Sequence, residues 1–257
     1  THKEKIQDVL KYATKYTAAG KLTDAKDHPL PSILIRVTRQ TMVLKLYGQP
    51  LSTATRLAAV ALVEKQVPFE FVVVDTTKLE HKTPEYLKKH PFGQIPYIDD
   101  EGFILYESRA IARYIAEKYA SQGTPELIPT SSLQAKALFE QAASVEFSDF
   151  DYFASRAVRE VNQKKRQGLE PDRKVVDDAL AALSGKLDAY EAILSNQRYL
   201  AGDQITLADI FHLPFGSALS VIGSDAITSR PNVKRWFDEV SSRPAWQQVK
   251  GGVKSTA

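Results

Sequence analysis

With 257 residues, 43% of them hydrophobic and 25% charged, the chain has the composition of an ordinary globular protein with room for one large core or two docked ones, which excludes a disordered or fibrous architecture. Its apolar runs are only a few residues long, far short of the roughly 20 that cross a bilayer, and its net charge of +3 is spread among interleaved acids, so neither a membrane span nor a nucleic-acid footprint is expected. There is no cysteine, which excludes disulfides, thiolate metal sites and a cysteine nucleophile; any thiol chemistry must use a thiol that the substrate brings.

Residues Lys3 to Ala19 carry Ile6, Val9, Leu10, Ala13 and Thr17 at helical spacing and stop at Gly20, which predicts a short amphipathic helix within an extension covering residues 1–41. At Met42 the texture changes, and Val43-Leu44-Lys45-Leu46-Tyr47 alternates as a strand does, ending at the turn formers Gly48 and Pro50. A helix follows with Leu57, Val60, Ala61 and Val63 along one side and Ser52 and Thr53 as candidate caps, and Phe69 to Val74 is a β-rich run. Strand, helix, strand in this order predicts a parallel pair.

Thr83 to Lys89 predicts a short helix, Ile95 to Asp99 and Phe103 to Tyr106 a hairpin around Asp99-Asp100-Glu101-Gly102, and Ser108 to Tyr119 a further helix. The order β, α, β, α, β, β, α describes a thioredoxin-like unit over residues 42–120. Turn formers Gly123, Pro125 and Pro129 mark a linker over 121–130. Residues 131–257 read as all helical, with long patterned stretches over Leu133 to Lys165, Asp172 to Leu194, Leu207 to Ser220 and Val233 to Ser242. Within them Thr206-Leu207-Ala208-Asp209 has the form of a capping box, with Ile205 and Ile210 placed as a hydrophobic staple.

On spacing alone, Ser52 is as well explained by helix capping as by chemistry, and Glu107-Ser108 is better explained by capping. Four blocks taken together change that balance. Gly48-Gln49-Pro50-Leu51-Ser52-Thr53-Ala54-Thr55-Arg56, Glu80-His81-Lys82, Pro91-Phe92-Gly93-Gln94-Ile95-Pro96 and Tyr106-Glu107-Ser108-Arg109-Ala110-Ile111 stand in the order that resembles the phi class of glutathione transferases. The likeness runs on through Leu187-Asp188-Ala189-Tyr190-Glu191 and Tyr199-Leu200-Ala201-Gly202-Asp203 and covers roughly Val43 to Lys250. His90, where asparagine is common, Tyr97, where a small residue is frequent, and the extension over 1–41 depart from the class pattern.

The resemblance implies an α/β thioredoxin-like domain that holds glutathione, an all-α domain that supplies much of the pocket for small hydrophobic electrophiles, and a homodimer that needs no metal and is cytoplasmic, with an organelle as the alternative if residues 1–41 are a trimmed targeting segment. It implies conjugation of the glutathione thiolate, with reduction of organic hydroperoxides as an associated activity, and a non-catalytic carrier of hydrophobic metabolites as the alternative. Ser52 is the implied catalytic residue, donating its hydroxyl hydrogen to the sulfur, with Thr53 and Thr55 as weaker substitutes. Leu51, His81, Lys82, Gln94, Ile95, Pro96, Glu107 and Ser108 complete the implied glutathione site, with a cis bond at Ile95-Pro96. Leu51 and Phe150 are the implied walls of the electrophile pocket.

Overall fold

The computed structural model describes residues 43–257; the helix expected over Lys3 to Ala19 and the extension around it lie outside the described residues. Alternation in β1 (Leu44–Gly48) buries Leu44 and Leu46 on one face of a sheet and leaves Lys45 and Tyr47 to the other. α1 (Thr53–Glu64) returns the chain to β2 (Phe69–Val73), which pairs parallel with β1, as the strand, helix, strand order requires. After a 3-10 turn at Glu80–Lys82 and the short α2 (Pro84–Leu87), β3 (Tyr97–Asp100) and β4 (Phe103–Tyr106) form the expected hairpin. β3 also pairs antiparallel with β1, giving the order β2-β1-β3-β4.

α1 and α3 (Ser108–Lys118) cover one face of this sheet, where Leu46, Leu57, Val60, Phe69, Ile98 and Ile111 meet. The other face carries a small aromatic layer. Tyr97 stacks on Tyr47 at 4.4 Å between ring centroids and meets Tyr86 of α2 edge-on at 5.2 Å. The tyrosine that departs from the class pattern is thus a packing residue beneath the sheet.

Among the described residues the remaining helices are α4 (Leu133–Val145), α5 (Tyr152–Arg166), α6 (Arg173–Leu194), α7 (Leu207–Ile210), α8 (Leu213–Val221), α9 (Pro231–Ser241) and α10 (Pro244–Val249). The single helix expected over Leu133 to Lys165 is interrupted by a wide, π-type turn at Glu146–Asp151. The helix expected over Leu207 to Ser220 breaks at Phe211 and His212. Pro214 has no amide hydrogen to give the Ile210 carbonyl, so a fresh helix starts there with proline in its first turn. The short α10 was not anticipated, because Arg243-Pro244 reads as a separator.

The far side of α1 packs on α7, α8 and α10, so the sheet and the helices share one core. At its centre the capping box is formed as expected: the Thr206 hydroxyl accepts from Ala208 N at 3.2 Å, and the Asp209 carboxylate accepts from Thr206 N at 2.9 Å. Asp209 also accepts from Leu200 N and from Trp236 Nε1, each at 2.9 Å. Next to it His212 is wholly buried, its Nδ1 2.8 Å from the Ala208 carbonyl and its Nε2 3.0 Å from the Tyr190 hydroxyl. The carbonyl can only accept, so Nδ1 carries the hydrogen and Nε2 accepts from Tyr190. Burial pushes this imidazole down to about 3, which keeps it neutral.

Candidate active site

Strand register brings four loops to one end of the sheet. β1 runs out at Gly48 into a turn closed by the Ser52 amide, which donates to the Gln49 carbonyl at 3.1 Å. β3 starts at Tyr97 opposite Tyr47, and β4 ends at Tyr106 opposite Tyr97, so Ile95-Pro96 and Glu107-Ser108 flank the same end as Ser52. β2 ends alongside Gly48 at Val73 and leads on to the turn that holds His81 and Lys82.

Gly93 ties that turn to the approach of β3. It has φ +57, and a Cβ there would lie 2.8 Å from the His81 carbonyl oxygen and 3.0 Å from the Lys82 side chain. Only glycine lets the chain before Gln94 pass so close to His81 and Lys82. The Lys82 ammonium donates to the Phe92 carbonyl at 3.3 Å, and the Tyr86 hydroxyl donates to the Gln94 carbonyl at 2.7 Å, leaving the exposed Gln94 side chain unused by either bond.

Ser52 is the N-cap of α1, partly exposed, with extended backbone at φ −61 and ψ 132. Its Oγ accepts from Thr55 N at 3.4 Å. A serine hydroxyl has two lone pairs and one hydrogen, so capping spends an acceptor site and leaves the hydrogen for another partner. Capping and chemistry, alternatives on the sequence alone, are therefore compatible at this residue. Thr55 is not an equivalent donor: it is fully buried and fills the space that a Cβ on Gly48 would take.

The Ile95-Pro96 bond is cis, as expected. Glu107, exposed at the start of α3, has φ 70 and ψ 110, a conformation that non-glycine residues adopt rarely and that clusters at functional sites. It is followed by Ser108, buried as the first residue of the helix. Nothing in the residue order announces that strained turn.

Arg109 comes next, and sequence reasoning gave it no role. Its guanidinium donates to Glu146 through Nε at 2.8 Å and Nη2 at 2.7 Å, and lies 2.9 Å from Asp151. Burial pushes the Glu146 carboxyl up to about 7, against the pull of Arg109. The wide turn at Glu146–Asp151 thus presents two carboxylates to the helix that begins at Ser108.

Two histidines lie beside these loops. Among the described residues neither Nδ1 of His81 nor Nδ1 of His90, both buried, has a hydrogen-bond partner. Both imidazoles are held below their usual pKa, chiefly by burial. His90, which stands where asparagine is common, stacks on Tyr106 at 4.5 Å between centroids.

The expectation for Phe150 needs correction. Its side chain is 0% exposed, 4.5 Å from the His212 ring and within the helical core, so it has no surface to offer a ligand. The wide turn gives the exposed aromatic position to Phe147, three residues earlier and 5.2 Å beneath the Arg109 guanidinium. Leu51, the other expected wall, is 61% exposed. Among the described residues no three histidine, aspartate or glutamate side chains converge as a metal site would need, and no helix is long and apolar enough to cross a membrane.

Comparison with known proteins gives matches to two family models: the N-terminal domain of glutathione S-transferase over residues 42–117 and its C-terminal domain over residues 142–244. Glutathione S-transferase hmp2 of Hypomyces subiculosus is 44% identical over 218 residues, 84% of this chain and 99% of that protein. The crystal structure of glutathione transferase F7 from Populus trichocarpa is 40% identical and superposes with a TM-score of 0.79 over 81% of this chain and 98% of its own. Maize glutathione S-transferase I, solved with an atrazine glutathione conjugate, is 33% identical with a TM-score of 0.74 over 81% of this chain and 97% of that one.

Proposed function

The chain belongs to the phi class of the glutathione transferases, which join glutathione to electrophiles, and we propose that Ser52 is the residue that activates the thiol. The observation that carries this reading is the cap geometry: Ser52 accepts from Thr55 N and keeps its hydroxyl hydrogen for the sulfur. A free thiol with pKa about 8.5 is mostly protonated at neutral pH, while the thiolate is the nucleophile. The Ser52 hydroxyl and the positive end of α1 together favour the thiolate, and the serine itself never loses its proton.

The γ-glutamyl end would sit at Glu107 and Ser108, where α3 offers its first amides to a carboxylate and Glu107 a partner for the amino group. The backbone of Ile95 would receive the cysteinyl part beside Pro96, with Gln94 adding a polar contact. His81 and Lys82 would meet the glycyl carboxylate. Leu51, with Phe147 in place of Phe150, would face a small hydrophobic electrophile.

A charge-assisted hydrogen bond contributes about 1.5–3 kcal/mol, or roughly one to two pKa units of the bound thiol. Ser52→Ala is accordingly expected to raise the pKa of bound glutathione by about that amount and to slow conjugation of a chloronitrobenzene roughly 10- to 100-fold. Glutathione binding, followed by calorimetry, should change little, since the two ends of the tripeptide keep their contacts. A variant that retains the parent's bound-thiol pKa would remove Ser52 from this role.

The active form is further proposed to be a homodimer. Phe92, 66% exposed at the turn before Gly93, is the side chain proposed to be covered at that interface. Light scattering should give twice the chain mass, and Phe92→Ala should shift the population towards monomer; a parent that is monomeric at micromolar concentration contradicts the reading.

A further inference from the structure

Residues 250–257 were given no role on the sequence, yet they lie against the loop that carries Ser52. Gly252 ends the turn after α10 at φ +128, its amide donating to the Val249 carbonyl at 3.0 Å. The chain then runs towards the outer edge of β2, whose backbone groups have no strand partner on that side among the described residues. Phe69 N donates to the Thr256 hydroxyl at 3.1 Å and Phe71 N to the Ser255 hydroxyl at 2.8 Å, while Thr256 N donates back to the Phe69 carbonyl at 2.9 Å.

The other end of the same segment grips the turn before α1. Val253, 3% exposed, donates its amide to the Pro50 carbonyl at 3.1 Å. A Cβ on Gly252 would be in ordinary contact with Pro50 and Leu51, at 3.7 and 3.8 Å. On the far side of Ser52, the Arg56 guanidinium donates to the Lys250 carbonyl at 2.9 Å and lies over the Trp246 ring. Arg56 is joined to Ser52 by the first helical bond of α1, Arg56 N to the Ser52 carbonyl at 2.9 Å. The residue two before the serine and the residue four after it are therefore both fastened to one segment, itself anchored on β2.

We propose that residues 250–257 are a strap that positions the Pro50-Leu51-Ser52 turn for thiol activation, with Val253 as its principal positioning residue. The inference rests on the assignment of Ser52 as the hydrogen-bond donor to the sulfur. That bond depends steeply on distance and angle, so a small displacement of the turn weakens it while the glutathione ends, held by other loops, stay bound. The strap acts on kcat and on the pKa of the bound thiol, and hardly on glutathione affinity.

Three proteins test it: the chain shortened to end at Gly251, the full chain with Ser255→Ala and Thr256→Ala, and Ser52→Ala. Each is titrated with glutathione bound, following thiolate absorbance, and assayed for kcat and for the glutathione KM. The shortened chain should raise the bound-thiol pKa and lower kcat about tenfold with KM within a few-fold of the parent, the size expected for a slightly misplaced group. The double variant should move both quantities the same way by less, and it decides the matter alone if the shortened chain does not fold. Unchanged thiol pKa and kcat in a folded strap variant, or a rise confined to KM, overturns the proposal. If Ser52→Ala shifts the thiol pKa and the strap variants do not, only the strap fails; if Ser52→Ala does not shift it, the serine assignment fails first.

Discussion

Arg109→Ala is expected to destabilise the fold by about 3–5 kcal/mol in mild alkali, because it strips the counterion from a fully buried carboxylate. Glu146 receives two hydrogen bonds from Arg109, whose guanidinium also lies within 2.9 Å of Asp151. Without the guanidinium, Glu146 and Asp151 face each other as like charges. The pH dependence follows from burial, which already pushes Glu146 up to about 7 in the parent and would push it higher in the variant. The unfolded value is common to both proteins and cancels. Between the two folded values the variant holds a proton that the parent does not, so its deficit is largest in alkali and shrinks as pH falls towards about 7. Below that, both proteins hold the proton and only the lost packing and hydrogen bonds remain. Urea unfolding at pH 9 and pH 6 checks this, and a deficit equal at the two pH values would show that Glu146 is not the group left unpaired. Glutathione KM should rise as well, since Arg109 follows Ser108 and fixes the start of α3.

What the residue order made legible here was whatever is local. The Thr206-Leu207-Ala208-Asp209 capping box, the hairpin from Tyr97 to Tyr106 and the helix after Ser52 each carry their cause within a few residues, and each formed where expected. The parallel pairing of β1 and β2 followed from element order alone. What stayed hidden depends on partners far along the chain. Arg109 meets Glu146 across 37 residues, and Val253 reaches Pro50 across some 200. The wide turn at Glu146–Asp151 is a further case. It shifts the register of a patterned helix, so that Phe150 enters the core and Phe147 comes to the surface, an exchange that hydrophobic spacing cannot report. At Ser52 the residue type left capping and chemistry as rivals, and only the direction of one hydrogen bond made them compatible.

Asp209→Ala should be the most damaging change outside the candidate site, lowering stability by about 3–6 kcal/mol because four donors, Leu200 N, Thr206 N, the Thr206 hydroxyl and Trp236 Nε1, lose their acceptor together. Burial raises the Asp209 carboxyl, so removing it also relieves a desolvation cost, which keeps the net loss below the sum of the four bonds. Against a total stability of about 5–15 kcal/mol, that loss brings a fall in melting temperature of roughly 10–20 °C for a chain of this length. Asp209→Asn keeps one oxygen, able to serve Leu200 N and Trp236 Nε1, but turns an amide hydrogen towards Thr206 N; its loss should be smaller, and the order parent, Asn, Ala in melting temperature is the check. Asp209 lies in the helical core, and its hydrogen bonds go to Leu200, Thr206 and Trp236, none of them in the four loops, so the surviving folded Ala variant should bind glutathione in the cold as the parent does. A melting temperature within a few degrees of the parent would mean that water or a neighbouring group can replace the carboxylate, and that the capping box directs the chain's turn into α7 without holding the core together.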